Sequence, residues 1–279
     1  MVDVDNITSR AVVPDQLIPY VRAVSGLDSS LLGQCVLHQG GDQAVLVAFP
    51  LHNPLDKAAA EESLRLARNM PGFKHLSVLA PCELEGMENA KMDNYWQLPL
   101  PPPPPNVKLR NMLRRAQREI VVEQSKGADA WTAEHENLAM EFRQRKQETL
   151  DEGMHWLFSH LSQYLEQAEG ALLFSARTED GALAALAIGD FSPFATAFYM
   201  FACRKQNAPP GTADALLQAI ATEASLRGHI RVNLGLGIDR GIEFFKRKWG
   251  AKPYLPLVEG TVAPRTPKKS GFWARILGG

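Results

Sequence analysis

The sequence predicts a mixed α/β (α+β) fold. Three observations carry that expectation: the order of elements after residue 106, a hairpin signal near residue 40, and five consecutive prolines at Pro101–Pro105. The chain has 279 residues and a net charge of −1, enough for one large domain or two small ones. The charge is uneven: residues 1–105 carry 7 Lys and Arg against 12 Asp and Glu, the remainder 23 against 19. An anionic partner is therefore expected to meet the second half.

In the first part, residues 1–33 are polar and punctuated, with one helical candidate at Gln16–Val24. Gln34–Gln39 and Ala44–Phe49 read as strands joined through Gly40-Gly41, a hairpin signal. Asp56 is placed to cap a helix with Ala60, Leu64 and Ala67 on one face, ending before Pro71-Gly72. His75–Leu79 reads as a further strand. The expected organisation is a small α/β unit over 1–105, a domain over 106–260 and a tail over 261–279. The proline run favours extended polyproline II, suited to a stiff spacer.

After the spacer, Val107–Gln117 is an amphipathic helix with Leu109, Met112, Leu113 and Ala116 on one face. Arg118–Gln124 reads as a strand, followed by helices at Thr132–Thr149 and Gly153–Ala168. Strands at Ala171–Arg177, Ala182–Gly189 and Ala195–Cys203 form a meander. A helix over Thr212–Arg227, a strand at His229–Leu234, a short helix at Gly241–Lys248 and a strand at Tyr254–Val258 complete the pattern. The order is β-α-α-β-β-β-α-β-α-β, which implies a mostly antiparallel sheet flanked by helices.

Three stretches bear on chemistry. Ala208-Pro209-Pro210-Gly211-Thr212-Ala213 is a tight loop opening a helix, with Arg204 and Gln206 just before it. A helix N-terminus favours anions, but Pro209 and Pro210 lack N–H donors. A plain Pro-Gly turn with Thr212 as N-cap reads the residues equally well. The second stretch is Val232-Asn233-Leu234-Gly235-Leu236-Gly237, followed by Gly241-Ile242-Glu243-Phe244-Phe245-Lys246-Arg247-Lys248-Trp249-Gly250. Lys246 is either functional or a surface lysine over an aromatic core. The third is Leu109-Arg110-Asn111-Met112-Leu113-Arg114-Arg115, whose guanidinium row suits phosphates or pairs with Glu119 and Glu123.

Together, over residues 106–258, these stretches resemble the GNAT-fold acyltransferase superfamily. The Phe-Lys-x-x-aromatic-Gly run is similar to that of Fem-type aminoacyltransferases and of lysyl-phosphatidylglycerol synthase domains. The resemblance implies a GNAT-like sheet and an N-terminal unit that is a truncated GNAT-like copy. It implies transfer of an acyl or aminoacyl group to an amine or hydroxyl acceptor: a cell-envelope precursor, lipid headgroup or small amine. Acyl-CoA or aminoacyl-tRNA would be the donor, so coenzyme A or tRNA is the implied partner. Lys246 would stabilise negative charge in the transition state. Arg204, Gln206, Gly211 and Thr212 would face a pyrophosphate, and Arg110 and Arg114 phosphates.

Tyr199 is an acid candidate, Asp239 and Glu243 are base candidates, and Asn233 would orient substrate. The rival reading is a catalytically inactive GNAT-like module used for binding or scaffolding. Cys35, Cys82 and Cys203 form no ligand or nucleophile pattern, and His155 and His160 share no helix face, so no metal is expected. The start lacks a signal-peptide pattern and no stretch is long enough to span a bilayer. A cytoplasmic protein is expected. The tail Lys268-Lys269-Ser270-Gly271-Phe272-Trp273-Ala274-Arg275 suits contact with an anionic membrane or a partner groove, or is disordered.

Overall fold

The structure, a computed structural model, describes residues 4–145, 152–237 and 239–263, with backbone alone for 152–155. The tail over 264–279 lies outside the described residues. In chain order the elements are α1 (Val4–Ser9), α2 (Ile18–Ser25), β1 (Asp28–Leu32), β2 (Cys35–Gly40), β3 (Gln43–Val47), α3 (Lys57–Arg68), β4 (His75–Ala80) and β5 (Glu88–Pro99). Then follow α4 (Val107–Glu119), β6 (Ile120–Ser125), α5 (Ala133–Arg145), α6 (Glu152–Ser159), α7 (Leu161–Gln167), β7 (Ala171–Thr178), β8 (Leu183–Asp190) and β9 (Thr196–Arg204). The chain closes with α8 (Thr212–Leu226), β10 (Arg231–Leu236), α9 (Arg240–Lys248) and β11 (Lys252–Val262).

By packing the chain divides into two units. Of the described residues, one gathers 4–26 and 93–256, the other 27–92 and 257–263. The smaller unit joins β1, β2 and β3 antiparallel, sets β4 parallel to β3, and returns Val258–Val262 antiparallel to β4. Helix α3 covers its core with Ala60, Leu64 and Ala67 over Leu37, Leu46 and Val78. Asp56 starts that helix as expected, its carboxylate accepting the Ala59 N–H at 3.0 Å.

The larger unit holds a sheet in the order β5-β10-β9-β8-β7-β6. All neighbours are antiparallel except β9 and β10. Strand β8 is buried along its whole length, which explains its near-continuous apolar run. On one face α4 and α8, with Trp249 just after α9, bring Leu113, Leu217, Ile220 and the Trp249 ring against Phe174, Ala185 and Val232. On the other, α2, α5, α6 and α7 bring Ala23, Leu138, Phe158 and Leu161 against Leu173, Ile188 and Phe201. Neighbouring residues of β7 thus serve opposite cores, as the pleat requires.

The sequence reading departs from this in three places. The helix expected over Gly153–Ala168 is broken into α6 and α7 at His160, whose backbone is not helical. Ser159 Oγ donates to Trp156 O at 2.6 Å and the His160 ring lies 2.9 Å from the same carbonyl. Side chains competing for a helix carbonyl favour such a break. Strands β1 and β5 and helix α1 carried no usable signal; most of the first half of β5, Glu88-Asn89-Ala90-Lys91-Met92, is exposed. The cap of α8 is Gly211 rather than Thr212, whose hydroxyl donates back to Pro209 O at 2.6 Å.

Candidate active site

Strands β9 and β10 pair in parallel only from Thr196–Phe198 to Arg231–Asn233. Beyond that point β9 follows β8 as far as Arg204, while β10 follows β5, with Leu236 opposite Tyr95. The register of β10 breaks between Asn233 and Leu236, where Gly235 takes φ +74°, a conformation glycine adopts without strain. The two central strands therefore separate, and the backbone polar groups of Gly235 and Leu236 are released from the parallel ladder.

Lys246 fills that position. It is only 4% exposed, and its Nζ donates to Gly235 O at 3.0 Å and to Leu236 O. Burial lowers its pKa to about 8, opposed by the nearby carboxylates of Asp93 and Glu243. An ammonium has three donors, and two of them serve these carbonyls. Gly237 lies between the same carboxylates: a Cβ there would meet Asp93 Oδ1 at 2.9 Å and Glu243 Oε1 at 3.3 Å. Its own N–H donates to Asp93 Oδ1 at 3.2 Å. The Arg247 guanidinium stacks over the Trp96 ring at 4.8 Å and donates to Glu243 at 3.3 Å. Asp93 and Trp96 stand on β5, so no sequence pattern pointed to them.

Asn233 is fully buried. Its amide donates to Val12 O and to the Tyr254 hydroxyl, both at 3.0 Å, and its carbonyl accepts from Gly235 N–H at 2.8 Å. Tyr254 donates to the same Val12 carbonyl at 3.0 Å. Asn233 thus ties β10 to the segment before α2, where Ala11 and Leu17 pack on Phe198. Asp239 is exposed and caps α9, accepting from Ile242 N–H at 2.8 Å.

Tyr199 is half-buried on the α8 face, and its hydroxyl pKa is raised by burial and then by the Asp214 carboxylate. Asp214, in the first turn of α8, is buried and accepts from Trp249 Nε1 at 2.8 Å. It forms an ion pair of 2.6 Å with Lys248. The structure therefore places Lys246, Asp93 and Glu243 around the end of β10, and Tyr199, Asp214 and Lys248 around the start of α8.

The loop before α8 is packed against protein. A Cβ on Gly211, whose φ is +89°, would meet Met112 O at 2.8 Å and Ala116 Cβ at 3.1 Å. The close approach that needs glycine here is that of α4. Arg204 and Gln206 are exposed; Gln206 shares a shallow depression with Arg145 and Lys205. Arg110 and Arg114 are exposed on α4.

A serine–histidine pair escaped the sequence reading. His135 Nε2 lies 2.8 Å from Ser175 Oγ. Thr132 N–H donates to His135 Nδ1 at 3.1 Å, which leaves the imidazole proton on Nε2 and directed to the serine. A ring in that tautomer cannot take the serine's proton, and both residues are buried. The pair is structural. Burial pushes the Cys203 thiol up to about 12, away from nucleophilic use. Among the described residues no three His, Cys, Asp or Glu side chains converge as a metal site; the His155 side chain lies outside them. No described helix is long and apolar enough to cross a membrane.

A mostly antiparallel sheet with one parallel, separating strand pair and helices on both faces is the GNAT fold, in the form seen in Fem and lysylphosphatidylglycerol synthetase proteins. The C-terminal DUF2156 domain assigned to a lysylphosphatidylglycerol synthetase of Agrobacterium fabrum is similar at a TM-score of 0.61 and 16% identity, over 92% of this chain and 91% of that one. FemX is similar at 0.60 and 10%, over 86% and 90%. A GCN5-related N-acetyltransferase from Kribbella flavida is similar at 0.53 and 14%, over 93% and 96%. No protein-family model matches the chain, and no curated protein matches it. At these identities the likeness is one of fold.

Proposed function

We propose that this chain is an aminoacyltransferase that moves an aminoacyl group from aminoacyl-tRNA to an amine or hydroxyl acceptor, with the chemistry in residues 106–260. The observation that carries this reading is the buried Lys246 ammonium at the point where β9 and β10 separate. The acceptor nitrogen or oxygen attacks the ester carbonyl, forming a tetrahedral oxyanion. The bond to the ribose oxygen then breaks, and that oxygen takes up the proton that the acceptor nitrogen or oxygen gives up. The third N–H of Lys246 stabilises the oxyanion or the departing ribose oxygen, an interaction that strengthens as charge develops. Tyr199, kept protonated by burial and by Asp214, is the acid assigned to the leaving oxygen. Arg110 and Arg114 take donor phosphates.

The start of α8 favours this donor over acyl-CoA. Pro209 and Pro210 offer no N–H, α4 packs on Gly211, and Asp214 already sets a carboxylate in the first turn. That carboxylate already holds Lys248 and the Trp249 N–H, so a pyrophosphate would find few free donors there. Asn233 and Asp239 support the sheet junction and the α9 cap in this reading, rather than the reaction.

The test is transfer of radiolabelled amino acid from charged tRNA to a panel of lipid, peptidoglycan-precursor and small-amine acceptors. Lys246→Ala is expected to lower the rate at least about 100-fold, the usual loss for one oxyanion donor, with folding checked by circular dichroism. Wild-type activity in that variant would exclude the proposed role. A second reading, an inactive binding module, is favoured by the internal commitment of two of the three Lys246 donors. It requires that no acceptor in the panel be labelled.

A further inference from the structure

Helix α8 and the free edge of β6 enclose a groove of about 400 Å³ at the C-terminal end of α4. Strand β6 ends the sheet and pairs only with β7 among the described residues. Ile120, Val122 and Ala219 give the groove an apolar floor, and Gln117, Gln124 and Gln218 give it an amide rim. Gln117 Nε2 reaches Gln218 Oε1 at 3.5 Å, so the rim is continuous from α4 to α8.

The charges around this groove are asymmetric. Glu119, Glu123 and Glu223 are each held by an arginine: Arg115 at 3.0 Å, Arg177 at 3.0 Å and Arg227 at 2.6 Å. Arg110, Arg114 and Arg118 are exposed and form no ion pair among the described residues; Arg110 donates only to Pro105 O at 3.3 Å. Gln117 follows Arg114 by three residues and Arg110 by seven, which places them on the groove flank of α4. Three arginines at i, i+4 and i+8 span about 12 Å along the axis, at roughly 1.5 Å per residue. That length exceeds one phosphate or pyrophosphate and matches a strand of linked phosphates. Amide side chains pair with the edges of unstacked bases, as recognition of single-stranded RNA requires.

We infer that this groove and the α4 arginine row form an RNA-strand site: Arg110, Arg114 and Arg118 take successive phosphates, and the amide-rimmed groove takes an unpaired base. The inference rests on the tRNA-dependent reading above and adds a base pocket away from Lys246.

The experiment is fluorescence anisotropy of the full chain with a fluorescein-labelled 12-nucleotide single-stranded RNA of mixed sequence. Arg114→Glu with Arg118→Glu is expected to weaken binding more than about tenfold and to flatten the dependence of log K on log salt, by about 0.7 per lost phosphate contact. Ala219→Met, which fills the floor, and Gln117→Ala with Gln218→Ala are each expected to weaken it at least about fivefold, the lower range for a lost base contact. Thermal melting of each variant identifies any that fails to fold, and the remaining groove variant then decides. Free adenosine monophosphate at equal phosphate concentration is expected not to compete. Absence of RNA binding by the wild type overturns the proposal. So do groove variants that bind like wild type, or a groove shielded from hydrogen exchange only by an extended peptide added to β6. Failure of the transferase reading would instead appear in the transfer assay, with RNA binding intact.

Discussion

In the proposed reaction Lys246 is the residue on which the chemistry turns, and its burial makes two measurements move in opposite directions. Its pKa of about 8 in the folded chain lies below the ordinary lysine value of 10.5. Between those values the unfolded chain binds more protons, so stability rises as pH rises from about 8 to 10.5, by on the order of 3 kcal/mol. In the proposed reaction the ammonium is the active form, so transfer is expected to fall as pH rises through about 8. A rate that climbs through the same window would assign Lys246 as a neutral amine and contradict the electrostatic role. Asn233 behaves differently. Its side chain joins Val12 O, Tyr254 and Gly235 N–H without solvent access. Asn233→Ala leaves the Gly235 N–H without its partner, while Tyr254 still donates to Val12 O, and is expected to cost about 1–3 kcal/mol in urea unfolding. A variant that loses activity with stability unchanged would restore Asn233 to the substrate.

Among the elements, the junction of α4 with α8 decides what the loop at Pro209–Gly211 can hold. Gly211 combines a positive φ with a contact of 2.8 Å from its Cβ position to Met112 O. Gly211→Ala is therefore expected to destabilise the larger unit by about 1–3 kcal/mol, since backbone rather than a flexible side chain must yield. A neutral effect in thermal unfolding would show that α4 does not press on this loop. The element order after residue 106 was legible because α4 and α8 bury regular apolar stripes and β7 to β9 are short apolar runs set between turns. Two site residues were not legible for the same physical reason: Asp93 and Trp96 lie on β5, whose exposed first half breaks the alternation that marks a strand. The Lys246 position was readable from its aromatic neighbours. Its partners, Gly235 O and Leu236 O, are backbone atoms freed by a change of register, which residue types do not encode.

At the scale of the molecule, sequence neighbours and packing neighbours differ. Residues 4–26 belong with 93–256, and Val12, far from Asn233 in the chain, supplies the carbonyl that closes the junction beside the separating strands. Such a long-range contact leaves no local periodicity. In the proposed function the start of α8 is what separates the two donor classes. The most direct test incubates the wild-type chain and Lys246→Ala, side by side, with radiolabelled aminoacyl-tRNA or radiolabelled acetyl-CoA and the same acceptor panel. The expected result is label transferred from tRNA alone and lost with Lys246. Transfer from acetyl-CoA, or transfer from tRNA that survives Lys246→Ala, would contradict it.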